Sequence, residues 1–288
     1  MASGSYKNGW VGKDNPMSSP SDEQKFLIDF NVQDVAVALG LNIPLSAGAT
    51  ILGVTESALS AYIAEVDRAV AAAAAELLEL DVAVQAMVNR FQGVGRVMAI
   101  GDSITTYRYS YAHLLRHLLP TSQIINHGYS GHTSNHGLEL THTRFVQAQP
   151  DVVFIKYGVN DCKRFVGMGE RPLVTPDEYR GNLTGIVRAF QHITTADLVL
   201  LTPTPVVSEI ITHTPAFDNM YLTWSNADLA QLAEIVRDVS ATQQTRFVDL
   251  FRIFGANPDP TLYLPDGLHP NFAGQKIMLK TIADNYLN

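Results

Sequence analysis

The chain has 288 residues, enough for one large domain or two modest ones and for a core that needs no staples. With 46% apolar and 17% charged residues it reads as globular rather than disordered, and its single cysteine excludes a disulfide framework or a multi-cysteine zinc site. The net charge of −8 disfavours nucleic-acid binding, which needs clustered Lys and Arg. The charge is uneven. Residues 1–95 hold 5 basic against 11 acidic residues, whereas residues 96–288 hold 15 against 17 and all nine histidines. Acid–base chemistry near neutral pH therefore belongs to the second part.

Met1 to Trp10 has no apolar core of signal-peptide length, and the apolar stretch from Ala69 to Met87 is interrupted by Glu76, Glu79 and Asp81. The expectation is a soluble, cytoplasmic protein with no membrane span. Residues 1–21, rich in Gly, Ser, Asn and Pro, read as an irregular arm. Asp22 to Leu41 carries Phe26, Leu27, Phe30, Val35, Val37 and Leu39, and predicts one or two short helices closed at Gly40. Gly48 and Gly53 punctuate the next link.

Thr55 reads as an N-cap, with Glu56 in the first turn. Leu59, Ile63, Val66, Val70, Ala73, Leu77, Leu80, Val84, Met87 and Phe91 then follow at spacings that alternate between four and three, the pattern of a coiled-coil seam. Gly93 and Gly95 stop the helix, at a length of roughly 55 Å, and Asp81 is a candidate break. Ala71 to Ala75 admit a close neighbour. The seam over about 55–91 is expected to build a homo-oligomer; packing on short partners and on the second part of the chain is the alternative. Residues 22–95 thus read as a helical extension. Segments 34–40 and 54–62 loosely suggest a helix-turn-helix, but so acidic a region leaves almost no basic residue for a recognition helix. No nucleic-acid partner is expected.

From residue 96 the pattern alternates. Short apolar runs at Arg96 to Ile100, Gln123 to Asn126, Asp151 to Lys156, Leu198 to Thr202 and Arg246 to Leu250 predict five strands. Helical patterns lie between them: one through Leu119, then Pro176 to Gln191, Ala227 to Ala241 and Asn271 to Tyr286. Such alternation implies a parallel sheet covered on both faces, with its chemistry at the carboxyl ends of the strands. Four loops at those ends carry reactive or donor groups. They are Gly101-Asp102-Ser103, the segment Asn126 to Ser134, Gly158-Val159-Asn160-Asp161, and Asp266-Gly267-Leu268-His269. A serine at a strand-to-helix turn presents its hydroxyl at a helix N-terminus, where a developing anion is favoured. A hydroxyl nucleophile needs a base, offered by His269, and Asp266 three residues earlier can orient that imidazole. The Ser103 N–H, the Gly131 N–H and the Asn160 amide can supply an oxyanion hole.

These four blocks resemble those of the SGNH hydrolases, the GDSL-type lipase/esterase family, with Ser103, Gly131, Asn160 and His269 in the family's order. The resemblance covers about residues 96–288. It implies a flavodoxin-like three-layer α/β/α sandwich with a parallel sheet, preceded here by the all-helical extension, and neither metal nor cofactor. It also implies Ser103 as nucleophile, His269 as base and Asp266 as its partner. Ser103, Gly131 and Asn160 form the implied oxyanion hole, with Asp102 structuring the first block and Asp161 anchoring the third. The expected activity is a serine esterase or acylhydrolase that cleaves a small or acetylated carboxylic ester through an acyl-enzyme. The alternatives are a thioesterase or amidase using the same site, or a non-catalytic scaffold assembled through the helices.

Two positions depart from the family pattern: His132, and Lys156 at the end of an apolar strand. His127, His132, His136 and His142 crowd the second block, but two histidines on one helical face without carboxylates make a thin metal site. Cys162 has no partner residue to activate it and reads as structural. Two long connections, Lys163 to Thr175 and Val206 to Asn226, are candidate binding walls. From these regions His132, Arg164, Tyr221 and Trp224 are candidate substrate-lining residues, with Lys163, Arg164 and Arg171 available to an anionic group.

Overall fold

The structure is a computed structural model that describes residues 19–30, 44–167, 171–214, 217 and 219–286. Most of the expected arm, and the expected helical positions Val35, Val37 and Leu39 with the stop at Gly40, lie outside the described residues.

Helix α1 (Asp22–Asp29) begins at a capping box. The Ser21 hydroxyl accepts from the Gln24 N–H, and the Gln24 side chain accepts from the Ser21 N–H. Helix α2 (Leu45–Leu52) ends at Gly53 with φ 68°, the left-handed conformation that a glycine adopts freely. The Thr55 hydroxyl caps α3 (Glu56–Leu80). The expected 37-position seam is then interrupted. Asp81 is extended (φ −118°, ψ 112°), and its carboxylate accepts from the Ala83 and Val84 N–H groups to start α4 (Val82–Arg90). Lys280 Nζ holds the same carboxylate at 2.9 Å. An aspartate that caps so well competes with helix continuation, and the break leaves Leu80 and Val82 more than 70% exposed.

The central sheet is parallel. Its strands are β1 (Arg96–Gly101), β2 (Gln123–Gly128), β3 (Val152–Lys156), β5 (Asp197–Leu201) and β7 (Arg246–Val248), in the order β2-β1-β3-β5-β7. Two-residue strands β4 (Arg164–Phe165) and β6 (Leu222–Thr223) form a separate antiparallel pair. The helical pattern through Leu119 is realised as two pieces, α5 (Ser103–Thr106) and α6 (Tyr111–Leu118). Then come α7 (Ser134–Thr143), α8 (Pro176–Ile193), α9 (Ser208–Ile211), α10 (Asn226–Gln243), α11 (Leu250–Phe254) and α12 (Phe272–Tyr286). Helices α7 and α10 both pack on α8, whereas α6 packs on α12, giving the expected three-layer α/β/α sandwich.

The seam expected to join copies of the chain is closed within it. Helix α3 packs on α6, and α4 packs on α12. Val66, Val70, Ala73, Leu77, Val84, Met87 and Phe91 are buried in the same core as the sheet, with the Phe91 ring 6.5 Å from that of Phe154 on β3. Leu59 joins a smaller cluster with Ile28, Ala49, Leu52 and Val54. A heptad pattern requires only an apolar partner, and here the domain supplies it. The helical extension therefore shares its core with the sheet.

Met87 is fully buried, so Met87→Ala is expected to lower stability by about 2–5 kcal/mol in urea unfolding while the mass by light scattering stays unchanged. A fall in mass with the subunit's stability retained would place the seam between copies instead.

Candidate active site

The site is built where three adjacent strands end in register, with Gly101 opposite both Gly128 and Lys156. After β1, Asp102 caps α5 by accepting from the Ile104 N–H at 2.9 Å, which makes Ser103 the first helical residue. Helix α5 lies so close to β2 that a Cβ on Gly128 would meet the Thr106 nitrogen at 2.4 Å. Ser103 Oγ is 2.8 Å from His269 Nε2, and His269 Nδ1 is 2.6 Å from Asp266 Oδ2. The other Asp266 oxygen accepts from the Leu268 and His269 N–H groups at 2.8 and 3.0 Å. One carboxylate thus shapes the loop and orients the imidazole. Burial pushes the Asp266 carboxyl upward, but the neighbouring imidazole and these donors outweigh it and hold it below the ordinary value. An ionised Asp266 fixes the hydrogen on Nδ1 and leaves the Nε2 lone pair facing the serine hydroxyl.

The other two blocks follow the strands that flank β1. The His132 N–H donates to the Tyr129 carbonyl at 3.2 Å across a turn in which Gly131 has φ 80°. Asn160 is buried, and its Nδ2 donates one hydrogen to the His132 carbonyl at 3.1 Å, tying the third block to the second. Asp161 strengthens that tie by accepting from the Ser134 N–H at 2.9 Å and from the Ser134 hydroxyl, which in turn accepts from Asn182 Nδ2. Burial pushes the Asp161 carboxyl up to about 6, against the pull of the Ser134 donors. Lys156, a departure from the family pattern, lies against Asp102, the residue before Ser103. Its Nζ is 3.5 Å from Asp102 Oδ2, and both side chains are fully buried. Burial lowers its pKa, opposed by Asp102 and Asp161.

The candidate lining residues are distributed differently. His132 stays beside Gly131, its ring 4.5 Å from that of His136 and 5.0 Å from that of Tyr129. Burial, and secondarily His136, pushes it down to about 4. Arg164 donates twice to one Asp228 oxygen, and Arg171 pairs with Glu178, so both guanidiniums already have carboxylate partners. Trp224 is buried, and its Nε1 donates to the Val159 carbonyl at 2.9 Å, bracing the third block from behind. Tyr221 is exposed and its carbonyl accepts from the Val166 N–H. Among the described residues, the contacts of Arg164, Tyr221 and Trp224 run to these partners rather than to Ser103 or His269. His136 Nδ1 accepts from the Thr133 N–H in the α7 capping box, and His127 Nδ1 meets the Tyr129 hydroxyl at 2.9 Å. Among the described residues, no three His, Cys, Asp or Glu side chains converge on a metal position. Cys162 is buried, which raises its thiol pKa far above the ordinary value.

One contributor was not singled out from sequence. The Phe30 ring, just beyond α1, lies 4.5 Å from the His269 ring and stacks on Tyr107 at 4.9 Å. Phe26 packs on Phe30 at 4.7 Å. Three hydrogen bonds key this end of α1 into the catalytic loops. The Arg108 N–H donates to the Asp29 carbonyl, Arg108 Nε to the Ile28 carbonyl, and Ser130 Oγ to the Phe30 carbonyl. Ser103 and His269 are consequently only 6% and 7% exposed. The one signal available was the pair Phe26 and Phe30, four apart, in a short helix.

A parallel α/β/α sandwich carrying this serine–histidine–aspartate arrangement at its strand ends belongs to the serine hydrolase class. Residues 99–277 match the model of the GDSL-like lipase/acylhydrolase family, and the chain belongs to that family of ester hydrolases. The chain is 23% identical over 194 residues to the human isoamyl acetate-hydrolyzing esterase 1 homolog, covering 64% of this chain and 77% of that protein. Its fold is similar to that of a catalytic mutant of Axe2, an acetylxylan esterase from Geobacillus stearothermophilus (22% identity, 67% of this chain and 94% of the other, TM-score 0.53). It is also similar to that of LAE5, an alpha/beta hydrolase from the metagenome of Lake Arreo, Spain (23% identity, 68% and 97%, TM-score 0.52). No described helix is long and apolar enough to cross a membrane.

The Tyr62 hydroxyl on α3 meets both Asp29 oxygens at 3.1 Å, holding the last residue of α1. Burial pushes the Asp29 carboxyl up to about 6, and the Tyr62 hydrogen bond opposes that rise. Tyr62→Phe removes a donor to the charged form, so the Asp29 titration followed by NMR is expected to move further up. A downward or absent shift would contradict this clamp.

Proposed function

We propose that the chain is a serine esterase that cleaves carboxylic esters of small or acetylated substrates through an acyl-enzyme on Ser103. The observation that carries this reading is the continuous chain from Ser103 Oγ through His269 to Asp266, at 2.8 and 2.6 Å. Ser103 Oγ attacks the ester carbonyl carbon while His269 Nε2 takes its proton, and the ionised Asp266 stabilises the imidazolium. The carbonyl oxygen becomes an oxyanion that receives the Ser103 N–H, the Gly131 N–H and Asn160 Nδ2. Each of these three keeps a hydrogen free of the hydrogen bonds described for it. Among the described residues no carbonyl takes either N–H, and Asn160 commits one of its two amide hydrogens. A preset donor of this kind contributes roughly 10²–10³ in turnover.

Collapse of the tetrahedral species breaks the ester C–O bond, and Nε2 returns its proton to the departing alkoxide. Water then attacks the acyl-serine with the same imidazole as base, releasing the acid and restoring the Ser103 hydroxyl. Asp161 and Lys156 touch no reacting atom in this scheme. Through Ser134 and Asp102 they hold the loops that carry the donors and the nucleophile. The names of the human relative and of the acetylxylan esterase neighbour support a short acyl group.

A fluorophosphonate probe is expected to label the folded protein at Ser103, and Ser103→Ala to abolish that label. An unlabelled Ser103 in folded protein overturns the esterase reading in favour of a non-catalytic role. Hydrolysis of p-nitrophenyl acetate is expected to fall about 10⁴-fold in Asp266→Asn and to near background in His269→Ala, with circular dichroism unchanged. Wild-type turnover in His269→Ala would assign the base elsewhere.

A further inference from the structure

Beside the triad lies a cleft of about 690 Å³, within the ~300–1,000 Å³ range of small-molecule sites and larger than an acetyl group needs. Its apolar lining is Phe26 from α1, Ile210 from α9, and Leu264 and Pro265 from the loop that leads to the triad; Asp266 closes one end. We propose that this cleft takes the alcohol part of the ester, that the alcohol is a neutral alkyl or aryl alcohol rather than a sugar, and that Phe26 sets this preference. The proposal rests on the esterase reading above and gives that site a substrate class.

Three observations carry it. The first is which side of the site the cleft occupies. In ester cleavage the carbonyl oxygen faces the oxyanion donors, and the leaving alcohol lies by the imidazole that protonates it. The lining comes from α1, from residues 209–214 and from residues 264–266, and none of it comes from the loops carrying Gly131 or Asn160. The Phe26 ring is 6.4 Å from the His269 ring, and Phe30 lies between them and Tyr107, so an apolar surface leads from the imidazole into the cleft.

The second observation is that several polar groups of the wall are spent on one another. Thr214 Oγ1 donates to the Ile210 and Asp266 carbonyls. His213 Nδ1 meets the Glu209 carbonyl at 2.8 Å, and both Asp266 oxygens are engaged by its own loop and by His269. A sugar brings several hydroxyls that need partners on burial, and with Thr214 and Asp266 engaged this wall offers few beyond the Glu209 carboxylate. An alkyl or aryl group brings none. The Glu209 side chain also lines the cleft, and its carboxylate disfavours an anionic alcohol.

The third observation is that Phe26 is held in place. It sits on a helix whose end and C-cap are bound by Arg108, Ser130 and Tyr62, and it lines the cleft while 43% exposed. This helix lies outside the 99–277 family match, so the preference is a property of the chain's own extension.

The test varies the two halves of the ester separately. The full chain and its Phe26→Ala variant are assayed on ethyl acetate, hexyl acetate and ethyl hexanoate. Phe26→Ala is expected to lower the hexyl acetate to ethyl acetate ratio of kcat/KM at least fivefold, mainly through KM. The ethyl hexanoate to ethyl acetate ratio is expected to move less than twofold. Phe26→Trp, which narrows the cleft, is expected to discriminate against hexyl acetate through the same ratio. An unchanged alcohol ratio in both variants, or a change confined to the acyl series, overturns the proposal in an enzyme that is otherwise active. A second arm needs no turnover. Hexyl acetate binding to Ser103→Ala protein, measured by calorimetry, is expected to weaken at least fivefold when Phe26→Ala is added. Equal affinity, or no binding, counts against the cleft. Binding that behaves as expected in a chain with no esterase activity would leave the cleft standing and remove the esterase reading alone.

Discussion

The site depends on the close approach of one short helix to two strand ends. Helix α5 begins two residues after β1 and sits against β2 so tightly that Gly128 has no room for a side chain; at Gly101 a Cβ would meet Thr105 Oγ1 at 2.4 Å. Both glycines stand opposite each other in the parallel register. This contact fixes Ser103 at the helix start, with its N–H directed away from the helical ladder. The neighbouring strand ends then place the Gly131 and Asn160 loops on either side of it. Parallel strands in register make the three blocks adjacent although they are far apart in the chain.

Beneath this surface lies a layer of buried charge. Asp102, Lys156 and Asp161 occur at the ends of two neighbouring strands, and each is fully buried. A lone cation there would cost several kcal/mol, and removing one partner from such a pair typically costs about 3–5 kcal/mol. Lys156 shares this layer with two carboxyl groups that perform separate structural tasks. Asp102 caps α5, and Asp161 pins the start of α7. The departure at Lys156 thus sets a basic side chain against Asp102 inside the scaffold.

The helical extension is joined to the same arrangement from the other side. Its long helices complete the core on one face of the sheet, and its first helix reaches over the imidazole. Extension and sheet therefore share a core, and α1 is followed by a ring that packs on His269. The Phe30 carbonyl and the Asp29 carbonyl accept hydrogen bonds from the loops of the second and first blocks, so the position of α1 and the shape of the site are linked.

What the sequence determined was local chemistry and local periodicity. Asp266 and His269 are three residues apart, so their hydrogen bond follows from one turn of chain. Asp102 and Ser103 are adjacent, and a cap followed by a helix start is written in residue type. Alternating apolar runs and helical patterns likewise specify a parallel sheet, because each element must bury its own face. Tertiary structure decided what those elements face. A four-three seam is equally satisfied by another copy or by α6 and α12, and only the fold shows the contacts that α3 and α4 make with α6 and α12. Arg164 and Trp224 have side chains suited to a substrate, yet Asp228 and the Val159 carbonyl claim them. The contact of Phe30 with His269 joins residues far apart in the chain, and no spacing rule reaches across that separation; it exists because the folded core brings the extension back over the site.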